Sequence, residues 1–415
     1  MFDEPIWGID LGSTAVRVVR LARRGAGFEV TAVDRIETYR DPASSTPEEL
    51  DAHLRKALSI FRMNERIGAR DRVGVAIPGL GFETLVLDLP PVASKRIPEL
   101  VDYEVRGRAG AAADLVHAHR EIPSPSVNER RVLVAVGSAG FLGGYLDALA
   151  SAGLSPDRVT LAPLAFVDAL RADGLEVRDA VALRVGPGTT DFVLGLREGP
   201  LARTEPDGTL WIARELRLRL GLGAKEADGE RRALEGGQGD PRGIEIAAEL
   251  AARLASRVTA AIEYGRTRSP GFAPARILLA GEGARIPGLR EGLASALDLP
   301  VEVHAKWNRV AIGKHLFGHS LVTELPAFTA ALGAAVDAAG SSAVPLSFVP
   351  PNRARETARA LPWLAAAVLA LVGGVYAGDR LVASSEETLA EAETAVADAR
   401  RLVEGASARA GDAKR

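Results

Sequence analysis

The stretch GIDLGSTAVRVVRL, residues 8–21, sets the reading of the whole chain. An apolar run stops at Asp10-Leu11-Gly12-Ser13-Thr14 and resumes as alternating valine and arginine, the pattern of a strand, a tight turn and a returning strand. A hairpin tip of that composition suits a phosphate. Glycine lets the backbone come close, and successive N–H groups and hydroxyls donate to phosphate oxygens. In this reading Gly12, Ser13 and Thr14 donate to a terminal phosphate. Asp10 is the metal residue, reaching Mg²⁺ or its waters, because Mg²⁺ is held by one or two carboxylates plus phosphate. An ordinary hairpin turn uses the same residues, so the stretch does not decide the matter alone.

Working outward, the strand-turn-strand pattern starts again at residue 178. Ile9-Asp10-Leu11-Gly12 aligns with Leu183-Arg184-Val185-Gly186, so the chain reads as two related halves. LRVGPGTTD, residues 183–191, offers Gly186, Gly188, Thr189 and Thr190 to close on the phosphate from the opposite side. A third stretch, ILLAGEGARIPGL (277–289), is a hydrophobic strand, a glycine turn and a helix. Gly281, Gly283 and Ala284 in it suit the approach of an adenosine to the backbone. Strands at 6–9, 16–21, 28–33, 73–77, 131–136 and 158–161 alternate with helices at 47–62 and 141–150, Thr46 serving as the first helix's N-cap. These readings give a first domain over 1–172 with an irregular subdomain inserted at about 80–130, and a second domain over 178–340.

Composition narrows the function. A chain of 415 residues exceeds one core. Its net charge of −3, without a basic stripe, gives no case for nucleic acid. The absence of cysteine excludes disulfides and thiol catalysis. The acidic start enters a strand at once and does not read as a cleavable signal, which places the first domain in the cytoplasm. No G-x-S-x-G, Walker A or H-E-x-x-H sequence occurs. His315 and His319 stand four apart without a third ligand in view, and read as solvated.

The end of the chain differs in character. A linker over 341–360 leads to LPWLAAAVLALVGGVYA (361–377), 17 residues without a charge, with Trp363 and Tyr376 near its ends. At about 1.5 Å per residue it spans a ~30 Å hydrocarbon core with help from its flanks. Arg353, Arg355 and Arg359 precede it and acids dominate after it, which puts the body in the cytoplasm and the C-terminus outside. Beyond it, in 378–415, Val382, Leu389, Val396 and Val403 recur every seven residues with Ser385, Ala392, Ala399 and Ala406 between them, a coiled-coil seam that needs a partner.

With the three glycine turns in hand, the chain resembles the actin-like ATPase superfamily, and within it the PilM family of type IV pilus assembly proteins. VAIPGLGFETLVLDLP (75–90), residues 149–159 and GEGARIPGL carry the likeness, over about residues 5–338. The layout resembles the L component (GspL) of type II secretion systems. Pro345-Leu346-Ser347-Phe348-Val349-Pro350 resembles the short apolar motif of the single-pass protein PilN.

The resemblance implies an α/β, ribonuclease-H-like duplicated fold with an inserted α+β subdomain, and ATP with Mg²⁺ as cofactors. It also implies an inner-membrane scaffold that links a cytoplasmic motor ATPase to PilN/PilO-like or GspM-like membrane proteins. Leu346, Phe348, Val349 and Pro350 become partner-binding residues, docking in the groove between the halves or in a neighbour's groove. The rival reading is a working ATPase or small-molecule kinase.

Two departures weigh against the rival. Arg184 stands where the superfamily carries a second aspartate, and a guanidinium neither ligates Mg²⁺ nor takes a proton from water. Glu282 replaces a glycine of the adenosine turn. Losing an acid that positions metal or water costs orders of magnitude in rate.

Overall fold

The opening hairpin forms as the alternation predicts. In the computed structural model, which describes residues 4–38, 46–109, 114–124, 126 and 128–412, β1 (Ile6–Leu11) and β2 (Ala15–Arg24) pair antiparallel with Asp10 opposite Arg17. β3 (Gly27–Glu37) extends the meander. α1 (Pro47–Asn64) follows, started by a capping box in which Glu49 N–H donates to Thr46 Oγ1 and Thr46 N–H donates to the Glu49 carboxylate. β4 (Arg72–Ile77) then lies parallel to β1. An excursion through β5 (Phe82–Leu89), α2 (Ile97–Ala109), β6 (Leu115–Ile122), β7 (Arg130–Ser138) and α3 (Ala139–Ser151) precedes β8 (Arg158–Leu161), the edge strand beside β4, and α4 (Ala162–Ala172).

The second half repeats the opening with β9 (Val181–Val185), β10 (Thr190–Leu196) and β11 (Gly199–Glu205). It continues with α5 (Leu210–Leu220), α6 (Ala224–Glu235), the long α7 (Pro241–Arg268), β12 (Ile277–Ala280), a 3-10 turn at Glu282–Arg285, α8 (Leu289–Leu297), β13 (Val301–Val303), β14 (Ala311–Ile312) and α9 (Thr329–Ala338).

Two sheets result, ordered β14-β3-β2-β1-β4-β8 and β13-β12-β9-β10-β11-β5-β7-β6. Residues 131–136 read in sequence as the first half's β pattern resuming. They lie instead in β7, paired with β5 and β6 in the second sheet. That sheet continues to β11 where Arg203 stands opposite Glu83. Alternation reports which face of a strand is buried and is silent about which strand lies beside it.

The halves also exchange elements. β14 pairs with β3 of the first sheet, α9 packs over β1, β2 and β4, and α4 touches β9, β10 and β11. Where α4 and α9 cross, the contact is built from Ala76, Ala162, Ala165, Ala330 and Ala334, all buried. Gly333 completes it, because a Cβ there would fall on the carbonyl oxygen of Ala165.

After α9 the chain returns along the first half as a strap. Ser342 Oγ donates to Asp168 Oδ2 (2.6 Å) and Ala343 N–H to Asp168 Oδ1 (2.7 Å). Burial, opposed by those hydrogen bonds and reinforced by neighbouring Asp337, pushes the Asp168 carboxyl up to about 7. A carboxyl whose pKa is higher folded than unfolded binds its proton more tightly in the native state, so its contribution to stability is full at low pH and is lost as pH rises from about 4 through about 7. Asp168→Asn should flatten that part of the stability–pH curve, as followed by urea unfolding at several pH values. An unchanged slope would remove Asp168 as its source.

Two compact units divide the chain, Met1–Arg355 and Glu356–Arg415. The second consists of α10 (Arg353–Asp412) from Glu356 onward, so residues 361–377 are helical. Leu361, Trp363, Leu364, Val368, Leu369 and Leu371 are exposed there, as are Leu389 and Val396 of the predicted seam. The side chains of Tyr376, Val382, Ser385, Val403 and Ala406 lie outside the described residues. Among the described residues, the helix apolar and long enough to cross a membrane is a different one, Ser320–Ala338, with mean hydropathy 1.3. It is 78% buried and forms the core under the first sheet, where an apolar surface on all sides is what packing requires.

Candidate nucleotide cleft and its charge network

The two glycine hairpins meet tip to tip. A Cβ on Gly188 would lie 2.5 Å from Ser13 Oγ and 2.8 Å from Ser13 Cβ, so the second tip needs a glycine because the first touches it. Beside the tips opens a cavity of about 450 Å³. Its floor holds Asp10, Gly12, Ser13, Arg17, Arg184, Gly186 and Thr189, and its walls are mainly apolar, with Leu54, Leu80, Phe141 and Tyr145. Burial, then the charge of Asp10, pushes the Tyr145 hydroxyl up to about 12, so it stays protonated.

Below the tips lie five ionisable groups, the buried Asp10, Asp191, Arg17 and Arg184 and the half-buried Glu282. In the first hairpin Asp10 sits opposite Arg17, and in the second Arg184 sits opposite Asp191. The acid of the second hairpin thus stands one strand across the ladder from residue 184, and a guanidinium neutralises it. Arg184 Nε donates to Asp191 Oδ2 (2.7 Å), and Thr204 Oγ1 donates to Asp191 Oδ1 (2.7 Å). Arg184 Nη1 also stands 3.5 Å from Asp10 Oδ2, with Arg17 Nη1 at 4.0 Å. Arg17 Nη2 donates to Glu282 Oε1.

Burial pushes the Asp10 carboxyl above its usual range, and the guanidiniums of Arg184 and Arg17 recover only part of the loss. Consistent with that, Asp10 Oδ2 has no hydrogen-bond partner. Burial acts on Arg184 in the opposite sense, but the charges of Asp191, Asp10 and Glu282 outweigh it and hold the guanidinium protonated.

An orphaned carboxylate oxygen is what a metal would satisfy, so the fit of Mg²⁺ can be tested on this geometry. A Mg²⁺ bound at about 2.1 Å from Asp10 Oδ2 would stand beside two fixed guanidiniums. At an effective dielectric of about 20, two unit charges about 4 Å apart cost about 4 kcal/mol, and a dication doubles that for each arginine. Asp191 and Glu282 are already spent on arginines. The residues present do not fit Mg²⁺.

The other sequence candidates divide. Asp10, Gly12, Ser13, Gly186 and Thr189 line the cavity, and Gly188 abuts it through Ser13. Thr14 is buried with its hydroxyl unpartnered, whereas Thr190 turns away and donates to Asp207 O (2.6 Å). Gly281, Gly283 and Ala284 are packed against their own chain. A Cβ on Gly281 would meet the Val185 carbonyl, and one on Gly283 would meet the side chains of Val185 and Thr209.

The strap places the partner-motif residues on the first half, away from the cleft between the hairpins. Phe348 N–H donates to Val159 O (2.9 Å) and Val159 N–H to Ser347 Oγ (3.2 Å), satisfying the exposed edge of β8. Leu346 is buried, Phe348 meets Phe82 edge-on at 5.2 Å between ring centres, and Val349 packs on the same core. Pro350 is exposed. His315 Nε2 contacts Thr31 O (2.8 Å), tying its turn to β3, and His319 Nδ1 accepts from Leu321 N–H (3.3 Å).

Sequence reasoning missed Arg17 and Asp191. The signal was present: Asp10 and Arg17 are seven apart, Arg184 and Asp191 are seven apart, and the two types trade places between the copies.

No protein-family model matches this chain, and no curated protein matches it by sequence. Solved structures do. A chain of a PilM–PilN type IV pilus biogenesis complex superposes with a TM-score of 0.65 and 22% identity, over 80% of this chain and 98% of that one. Ethanolamine utilization protein EutJ from Carboxydothermus hydrogenoformans gives 0.46 and 14%, over 81% and 90% of the two chains. The cytoplasmic domain of EpsL, an inner-membrane component of the type II secretion system of Vibrio cholerae, gives 0.33 and 12%, over 53% and 78%. The fold is the duplicated actin-like one, in the form that the PilM–PilN complex displays.

Proposed function

We propose that this protein is a non-hydrolysing, membrane-anchored actin-like scaffold of a type IV pilus or type II secretion platform. The carrying observation is the charge network: each acid able to hold a metal or orient a water in the cleft faces an arginine of the same chain. The similarity to the PilM–PilN structure supports the assembly class.

In this reading residues 361–377 cross the inner membrane once. The basic residues before them keep the body cytoplasmic, and 378–415 project to the periplasm as a helix seeking PilN/PilO-like or GspM-like partners. The body meets the cytoplasmic motor ATPase, and the strap holds its apolar motif in cis on the β8 edge. ATP without Mg²⁺-dependent turnover is the most the cleft offers.

Full-length protein reconstituted in nanodiscs should release no phosphate from Mg·ATP above a protein-free control, and Asp10→Ala should change nothing. Protease added outside inverted vesicles should digest the body and spare the C-terminal helix. Turnover abolished by Asp10→Ala would replace the scaffold with the enzyme.

A further inference from the structure

The disagreement between the expected cofactors and the residues present has a consequence for how the halves are held. We propose that a ladder of the chain's own ion pairs latches the cleft shut across the two hairpins, doing in cis what a bound metal–nucleotide would otherwise do. This inference rests on the non-hydrolysing reading and adds to it how the site is closed.

Each rung joins the first half to the second. Arg17 on β2 pairs with Glu282 in the 3-10 turn, and Asp10 on β1 with Arg184 on β9 at 3.5 Å. Toward the rim, Glu37 on β3 pairs with Arg232 on α6 at 3.8 Å. The tips themselves touch at Ser13 and Gly188.

The rungs differ in kind. Arg232 and Glu37 are 47% and 49% exposed, so their attraction is weak and screened by salt. Arg17 and Glu282 are 2% and 9% exposed, so salt reaches them little, and removing Glu282 leaves the buried Arg17 with only Asp10, 4.0 Å away, as a counter-charge. The inner rungs therefore set the closure and the outer one trims it.

A self-paired closure also explains the cavity's composition. Asp10, Asp191 and Glu282 offset Arg17 and Arg184 at the cavity floor, leaving no net positive field for a triphosphate.

Hydrogen–deuterium exchange on the full-length chain in detergent micelles tests the latch. Glu282→Ala should raise exchange at both hairpin tips, residues 10–15 and 186–190, by at least about tenfold, while α9 stays protected as the control for folding. Glu282→Gln, which keeps the side chain's size and removes its charge, should raise exchange at the same tips, and it keeps the test decisive should Glu282→Ala fold poorly. In wild type, raising NaCl from about 0.1 to about 1 M should change tip exchange by less than about threefold. Unchanged tips in folded Glu282→Ala or Glu282→Gln would overturn the latch and leave the non-hydrolysing reading standing. Phosphate release by wild type would end that reading while leaving the exchange result as it is.

Discussion

Replacing Gly333 with valine should leave no cooperatively folding protein. Gly333 sits where α9 crosses α4, and even one methyl group would occupy the space of the Ala165 carbonyl oxygen. A backbone oxygen does not move aside as a flexible side chain does. Nor can α9 back away, because β1 and β4 receive it with glycines of their own: a Cβ on Gly8 would strike Ala331 O and one on Gly74 would strike Ala334 O. Ordinary overpacking costs about 1–3 kcal/mol, and this overlap with backbone on a two-sided contact exceeds it. The whole domain has only about 5–15 kcal/mol to lose. Circular dichroism melts should show no sharp transition for Gly333→Val and a lowered one for Gly333→Ala. A Gly333→Val protein that melts like wild type would mean that α4 and α9 do not cross here.

Arg184→Ala comes second in size. It leaves Asp191 and Asp10, both 1% exposed, buried without their shared cation. Breaking a buried pair from one side typically costs about 3–5 kcal/mol. Adding Asp191→Ala should recover much of the loss, because it removes the stranded charge along with its hydrogen bond from Thr204. Urea unfolding of the two variants measures both. A loss below about 1 kcal/mol for Arg184→Ala would place the guanidinium in solvent-like surroundings and remove the buried network as a stabilising element. The same variant bears on function, since Asp10 would then face one guanidinium, Arg17, at 4.0 Å.

These two results depend on different levels of the protein. The crossing of α4 and α9 is a packing property. In sequence Gly333 is one small residue in a run of alanines, and nothing local marks it as the point where two halves interlock. The network is partly written in the chain. Arg184 in an acid's place is visible as soon as the two copies are aligned, and Glu282 is visible as an intruder in a glycine turn. That Glu282 pairs with Arg17, 265 positions earlier, is not visible, because the pairing is made by the closure of one half on the other. The strap shows the same limit. Its apolar residues announce a docking motif, but their place on the β8 edge follows from that edge being unpaired in the assembled sheet.

What the sequence determined by itself is local: the strands and their turns, the capped start of α1, the duplication, and the charge that stands in place of an acid. Those features rest on periodicity, turn chemistry and side-chain type, which act over a few residues. Only the tertiary structure decided that β5, β6 and β7 extend the second sheet, that α4 and α9 exchange between halves, and that Arg17 and Arg184 meet three acids below the hairpin tips. The reason is physical. An apolar or charged side chain fixes that it needs a partner, and the partner is chosen by the arrangement that buries every face at once.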